Sequence, residues 1–451
     1  MAQAREAAIA AEPATTDVGA RPTRPLPLRQ LFDISIYWLG LSAIWTGLDF
    51  ILGGRLEYEG LVPAGTEGGA LIRMTFAGVI VASILQPTVG AISDYTSSRW
   101  GRRKPYIFVG SILDVLFLAG IATSNSVVMI AAFFLLLQVS SNTAQGPFQG
   151  YVPDLVPERQ VGLASAMLGI FQVLGNITGA IVGNLGLITH QYAIATVGLG
   201  IIEVTTMLVV VLRVHEGKAA KSREGRSWLR VAASAWGFDI LREHSFLWLL
   251  GSRFCFLMAG GMLLSLAIFY LSRAHGLAED AAGSTAIVIS VLVAGFTVVS
   301  VIPSARISDR IGRKPVIWTA CGIGVVAMAI LALAPSIPVA LPGVALYGIA
   351  SGVFLAVDWA LMTDIIPKAS SGRYMGLSNV ATATSGIVGL AVGGIVMDLV
   401  GGPDKAGSGP RAAFAVAVIA YVVAAILLAP VREPRRGGEV QDPADSATAA
   451  G

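Results

Sequence analysis

An all-α membrane protein with twelve transmembrane helices in two six-helix pseudo-repeats is the fold class this sequence predicts. Three observations predict it. The chain is too poor in charge to build a water-facing surface: 55% of its 451 residues are hydrophobic and 13% are charged, against about 25% charged in a soluble domain. Its mean hydropathy is +0.72. The apolar residues come in long runs, such as VVMIAAFFLLLQV at 127–139 and GVVAMAILALA at 324–334. A cationic motif set between two such runs recurs 215 residues further on.

A bilayer core of about 30 Å needs about 20 helical residues. Only helices and closed barrels satisfy the backbone in lipid, and continuous apolar runs do not fit the alternation of barrel strands. The twelve spans fall at 32–53, 69–92, 105–123, 126–150, 163–187, 191–213, 245–271, 283–303, 315–334, 337–363, 373–398 and 411–430.

In order, span one carries Trp38, Ser42, Trp45 and Asp49, and span two closes on Asp94. Span three begins after Arg99, Arg102, Arg103 and Lys104 and holds Asp114. Span four carries Gln138, Asn142, Gln145 and Gln149. Span five has Gly175, Gly179 and Gly183 at four-residue spacing, and span six holds Glu203. Span seven contains Arg253, about eight residues in, or ~12 Å deep at 1.5 Å per residue. Span eight leads into the second cationic motif, with Asp309, Arg310, Arg313 and Lys314. Span nine contains GIGVVA, which lies in an apolar segment with no strand before it and so is no dinucleotide fingerprint. Span ten carries Tyr347, Ser351, Phe354 and Asp358, and span eleven carries Gly389 and Gly393.

Charge placement orients the chain. With both termini inside, all but six of the 31 basic residues lie on the cytoplasmic side, as the positive-inside rule requires. The exceptions are Arg55, Arg73, Arg273, Lys405 and Arg411 outside and Arg253 within a span. The slight net positive charge therefore reflects topology and not nucleic-acid binding. Cys255 and Cys321 lie in spans without metal-ligand spacing, and the four histidines sit at span ends or in loops. No catalytic constellation and no metal or cofactor site is expected.

The repeat sets the domain plan. Asp94 aligns with Asp309, GRRKP at Gly101 with GRKP at Gly312, Asp154 with Asp364 and Pro157 with Pro367. The expected parts are disordered cytoplasmic tails at 1–30 and 432–451, six-helix halves at 31–213 and 245–431, and a cytoplasmic linker at 214–244. The linker is rich in basic residues, Lys218, Lys221, Arg223, Arg226 and Arg230 among them. Two halves in the same orientation form a parallel-repeat transporter plan.

These residues resemble the signature loop of the major facilitator superfamily. The match is tighter at Asp309–Lys314, although Ala305 replaces a glycine, and looser in the first half, where YTSS intervenes. SDYTSSRWGRRKP with SSNTAQGPFQGYVPDL is similar to the plant sucrose–proton carriers and their animal and bacterial relatives. The resemblance implies a secondary active transporter of a sugar or glycoside, working by alternating access with proton coupling. The cationic knot reads as a topology anchor and also as a cytoplasmic gate formed by Asp94, Arg102, Arg103, Asp309, Arg310 and Arg313, and the resemblance implies that Asp94 faces a helix N-terminus of the other half.

Polar groups inside spans are costly and often functional. Gln138, Asn142, Gln145 and Gln149 are spaced 0, 4, 7 and 11 and share one helical face, as do Tyr347, Ser351, Phe354 and Asp358, and Trp38, Ser42, Trp45 and Asp49. Amides and aromatics on converging helices suit a sugar's hydroxyls and ring faces. The alternative is interhelical hydrogen bonding without a ligand, and for Trp38 and Trp45 packing or an interfacial aromatic belt. Arg253 and Asp358 enter from the same side and are expected either to pair or to meet substrate. Asp114 and Glu203 are expected to be neutral hydrogen-bonded carboxyls rather than substrate contacts.

One departure concerns coupling. In the sucrose carriers a carboxylate four residues before the Asn that matches Asn142 takes the coupled proton, and here that position is Gln138. Asp358, then Asp49, then Glu203 are the acids that could replace it. The expected partners are a small polar solute, the lipid bilayer and protons, with the chain acting as a monomer. The rival readings are an exporter of amphipathic compounds or metabolites and a non-transporting membrane sensor or scaffold.

Overall fold

The structure, a computed structural model, describes residues 24–58, 61, 67–216, 223, 225–236, 243–366, 371–401 and 407–433. Most of the two expected tails, Lys218 and Lys221 of the linker, Pro367 and Lys405 lie outside the described residues.

Twelve helices among the described residues are long and apolar enough to cross a membrane. Spans one to six are Leu28–Leu52, Arg73–Asp94, Lys104–Thr123, Val127–Leu155, Glu158–Thr189 and Tyr192–Arg213. Spans seven to twelve are His244–Ala274, Ala281–Ile311, Arg313–Leu333, Ile337–Ile365, Arg373–Val400 and Ser408–Leu428. All twelve expected spans are present, so the protein is a multi-pass membrane protein.

Several spans run further than the apolar pattern suggested. Span eight continues eight residues past 303, through Pro303 and Arg306 to Ile311. Arg306 is exposed, so water can solvate it while the helix carries on. The loops with the basic motifs lie at this end of the bundle, hereafter the basic end. At the opposite end two of the exceptional basic residues cap helices. Arg55 donates to the carbonyls of Ile121 and Ser124 at the close of span three, and Arg411 donates to Ala334 O at the close of span nine. A cation at a helix C-terminus satisfies orphan carbonyls and offsets the dipole.

Glycines set the closest approaches. A Cβ on Gly175, Gly179 or Gly183 would lie 2.3–2.6 Å from the carbonyl oxygens of Leu39, Ala43 and Gly47 in span one. Gly389 meets Met258 O of span seven at 2.6 Å in the same way. The small-residue stripes therefore join spans one and five, and their repeat partners seven and eleven, backbone to backbone. A third close approach brings the two sets of six spans together: a Cβ on Gly376 of span eleven would lie 2.5 Å from Cα and N of Pro87 in span two.

Within the linker, residues Trp228–Ser234 form a short helix capped by Ser227, whose Oγ accepts from Arg230 N at 3.3 Å. Arg373 Nε donates to Ala235 O, which ties the linker to span eleven.

Candidate functional site

The basic end holds two matching clusters. Arg103 is fully buried at the start of span three. Its Nε donates to Asp154 Oδ2 at 2.6 Å, and its Nη2 donates to Asp94 Oδ1 at 3.1 Å and to Ser371 Oγ at 2.8 Å. Nη1 donates to Pro147 O at 3.0 Å. Ser371, at the N-terminus of the span-eleven helix, also donates to Asp154 Oδ1 at 3.0 Å. The cluster thus crosses from the first six spans to the last six. Arg102 pairs with Asp154 from the rim. Five donors in a planar fork make Arg the residue for such a hub.

The second cluster repeats the plan. Arg313 is fully buried, with Nη1 2.7 Å from Asp309 Oδ1 and 2.6 Å from Ser308 Oγ, and Nε 3.5 Å from Asp364 Oδ2. It faces Gly162 at the start of span five: a Cβ there would lie 2.6 Å from Asp309 Oδ1. Asp309 therefore meets a helix start in the other set of six, and in the first hub Asp154 does so at Ser371, where the dipole favours negative charge. Arg310 and Arg99 are exposed and stand outside both hubs.

Sequence reasoning missed the brace on each hub. Glu216 accepts from the backbone N–H groups of Arg103 at 2.9 Å and Lys104 at 2.8 Å, and from Tyr151 Oη at 3.2 Å. Burial raises its carboxyl above the usual range, against the pull of those N–H donors and of Arg103 and Lys104. Glu433 accepts from Arg313 N at 2.6 Å and Lys314 N at 3.2 Å. A carboxylate on orphan N–H groups is an N-terminal cap supplied from a distant segment. The signal was available: Val214-His215-Glu216 and Val431-Arg432-Glu433 follow spans six and twelve, 217 residues apart.

Further into the bundle the amide stripe of span four is buried and joined to span two. Gln86, also missed, donates from Nε2 to Asn142 Oδ1 at 2.5 Å and to Gln145 Oε1 at 2.9 Å. Asn142 donates to Gln138 Oε1 at 3.0 Å. Gln149 is buried, and neither of its amide atoms is hydrogen-bonded among the described residues. A polar residue in an otherwise apolar run of span two was the signal for Gln86.

Across from the stripe, Arg253 of span seven and Asp358 of span ten form an ion pair, both buried. Arg253 also donates to Thr382 Oγ1 of span eleven, from Nε at 3.1 Å and Nη2 at 2.9 Å. The guanidinium lies 5.6 Å from the Trp359 ring. Trp359 meets Trp38 edge to face at 5.8 Å, and Trp38 lies 6.1 Å from Phe148 of span four. Trp38 is therefore a seam between spans one, four and ten and not part of an interfacial belt.

The other named side chains spread out. Trp45 is half-buried against Phe134, and Asp49 is exposed. Tyr347 is buried beside Gly260, Ser351 is half-buried, and Phe354 stacks on Phe256 at 3.8 Å.

Asp114 and Glu203 are fully buried at the contact of spans three and six. Tyr37 Oη donates to Glu203 Oε1 at 2.9 Å and lies 2.5 Å from Ser111 Oγ, and Ser140 donates to Asp114 Oδ1.

Twelve helices, a twice-built charged hub spanning the two sets of six, and polar groups lining the seam between them define a membrane transporter of the two-repeat kind. The chain belongs to the Major Facilitator Superfamily, a family of transporters and not of enzymes: that family's model matches residues 32–389 and 249–449. The chain is 27% identical to Sucrose transport protein SUT1 of Oryza sativa subsp. japonica, over 28% of this chain and 31% of that one. It is 33% identical to Sucrose transport protein SUC3 of Arabidopsis thaliana, over 24% of this chain and 22% of that one. The matches thus span less than a third of these curated relatives. Among solved structures it is similar to the human organic anion transporter MFSD10, with TM-score 0.66 and 19% identity, over 89% of this chain and 100% of that one. It is also similar to a variant of the E. coli fucose:proton symporter FucP, with TM-score 0.65 and 15% identity, over 89% of this chain and 99% of that one.

Proposed function

We propose that this chain is a secondary active transporter of a small polar organic solute, a sugar or glycoside, driven by protons through alternating access. The observation that carries the reading is the pairing of two polar faces across an aromatic seam. On one side stand Gln86, Asn142 and Gln145, bonded to one another. On the other stand Arg253, Asp358 and Thr382. Trp359 lies beside Arg253, and Trp38 joins it to Phe148 of span four. Amides and charged groups exchange their mutual hydrogen bonds for those of sugar hydroxyls, and indole faces take the apolar side of the ring. The names of the partly matching sucrose carriers point the same way.

In this reading the basic end is cytoplasmic, both termini are inside and the protein sits in the cell membrane as a monomer. Arg103 and Arg313 are the gate hubs, and the structure with both hubs formed is the state closed to the cytoplasm. Asp94, Asp154 and Ser371 hold the first hub, and Asp309 and Asp364 hold the second. Arg102 supports the first hub, while Arg310 serves only topology.

Counterflow of labelled sucrose, maltose and aryl glucosides in proteoliposomes tests the function. Exchange that falls at least tenfold in Gln145→Ala or Trp359→Ala is the expected result. No exchange of any sugar, with efflux of amphipathic dyes instead, would replace this reading with an exporter.

A further inference from the structure

The charge arrangement leaves open which group carries the proton. Gln138 cannot titrate. Asp358 is already engaged in an ion pair with Arg253. Asp49 is exposed. The remaining deep acids are Asp114 and Glu203.

Both carboxyls are completely buried. Each sits ten residues from the basic end of its span, Lys104 and Arg213, which is ~15 Å at 1.5 Å per residue and hence mid-membrane. They lie within hydrogen-bonding reach of each other. Their other partners are all hydroxyls: Tyr37 and Ser111 at Glu203, and Ser140 and Ser141 at Asp114. Asp114 Oδ2 and Glu203 Oε2 accept no hydrogen bond from any donor among the described residues.

Among the described residues, no cation faces the pair from the elements packed around it. Span three has Lys104 at its start, span six has Arg213 at its end, paired with Asp33, and the span-one helices have Arg29 in the first turn and Arg55 at the far end, spent on the carbonyls that close span three. Span four carries only Asp154, which belongs to the Arg103 hub. Two adjacent carboxylates without a counter-ion cannot both ionise in low dielectric. A proton placed between Asp114 Oδ2 and Glu203 Oε2 satisfies both orphan oxygens at once.

We propose that Asp114 and Glu203 form a shared-proton site, and that this pair binds and releases the proton that couples to transport. The inference rests on the symport reading above and supplies its missing acid. Span one is the link to substrate. Tyr37 on that span bonds Glu203, and its ring packs edge to face on Phe148 at 4.9 Å. Phe148 contacts Trp38, and Trp38 contacts Trp359 beside Arg253. Span one also meets span six at the same level, since a Cβ on Gly40 would lie 2.7 Å from Glu203 Cα. In the state described the pair is sealed. Movement of span one in the other state withdraws the Tyr37 hydroxyl and opens the pair to the proton's exit. One proton is taken up per closure and released per opening, and no bond other than O–H changes.

Two measurements on full-length protein test it. The first is infrared difference spectroscopy of the C=O stretch of protonated carboxyls, in wild type, Asp114→Asn and Glu203→Gln. A band present in wild type at neutral pH and lost in both variants is expected. Retention of the full band in both variants overturns the shared proton, whatever the substrate is. The second compares labelled sucrose in proteoliposomes. The variants should keep wild-type counterflow and lose accumulation, so that the internal-to-external ratio under an inward proton gradient falls to unity. Preserved counterflow also shows that the variants fold. Gradient-driven accumulation at wild-type level in both variants overturns the coupling role. A wild type that exchanges sucrose but ignores the gradient overturns the symport reading itself, and the infrared band then decides the proton site alone.

Discussion

Removing one partner of the Arg253–Asp358 pair should destabilise the protein far more than removing both. Both groups are buried, and the guanidinium has one counter-charge among the described residues, Asp358, beside the neutral acceptor Thr382 Oγ1. In Asp358→Asn the cation keeps Thr382 and the Trp359 ring but no anion. In Arg253→Gln the carboxylate loses the partner of Oδ2, and Oδ1 has none to begin with. Two unit charges about 4 Å apart attract by about 4 kcal/mol at an effective dielectric of 20. Breaking a buried pair costs about 3–5 kcal/mol, because the surviving charge is left uncompensated. The double variant carries two neutral amides that can bond each other, so its cost falls to about 1–2 kcal/mol, that of an altered hydrogen bond. A double-mutant cycle should therefore show a coupling on the order of 3 kcal/mol. The assay is intrinsic tryptophan fluorescence during unfolding of detergent-solubilised protein. Each single variant should melt well below wild type, and the double variant should recover at least half of the loss. Strictly additive losses would refute the argument that the pair compensates itself in low dielectric.

The gate gives a ranking: Asp154→Asn should open the basic end more than Asp94→Asn, because Asp154 binds both Arg103 and Ser371 while Asp94 contacts Arg103 at 3.1 Å. Labelling of a cysteine placed on span four near Gln149 reads the difference, and equal labelling of the two variants contradicts it. Gly376→Ala should destabilise by about 1–3 kcal/mol, the usual cost of overpacking. The atoms it meets are the backbone of Pro87, which cannot rotate away. Thermal melting measures this, and an unchanged transition would show that spans two and eleven are free to part. Glu216 supplies a pH dependence. Its folded carboxyl is raised by burial, so the folded protein holds the proton more tightly than the unfolded chain. The stability this contributes is complete below the unfolded value of about 4.3 and is lost as pH rises through the folded value. Wild type should lose stability relative to Glu216→Gln across that window, and parallel curves for the two proteins would dismiss the effect.

The sequence by itself determined the number and order of spans, because about twenty apolar residues without charge have one stable fate in a bilayer. It also determined the repeat, and with it the two hubs, because the charged motifs are short, local and duplicated. The family resemblance implied that Asp94 faces a helix start of the other set of six; the structure brings Asp309 to such a start at Gly162, and in the first hub it is Arg103 and Asp154 that reach Ser371. What the sequence left open were contacts between residues far apart in the chain. Span four's amides were legible as a stripe from their spacing, but Gln86, 56 residues before Asn142, carried no periodic signal and was placed by helix packing alone. Arg253 and Asp358 were legible as two charges at similar depth, and only the meeting of spans seven and ten decided that they pair with each other. Asp49 and Trp45 share a helical face with Trp38, yet the bundle buries Trp38 and leaves Asp49 exposed, because a helical face is continuous and its surroundings are not. Asp114 and Glu203 lie on different helices, and neither sequence neighbourhood names the other. Tertiary structure made them a pair by excluding water and every described cation from the contact of spans three and six.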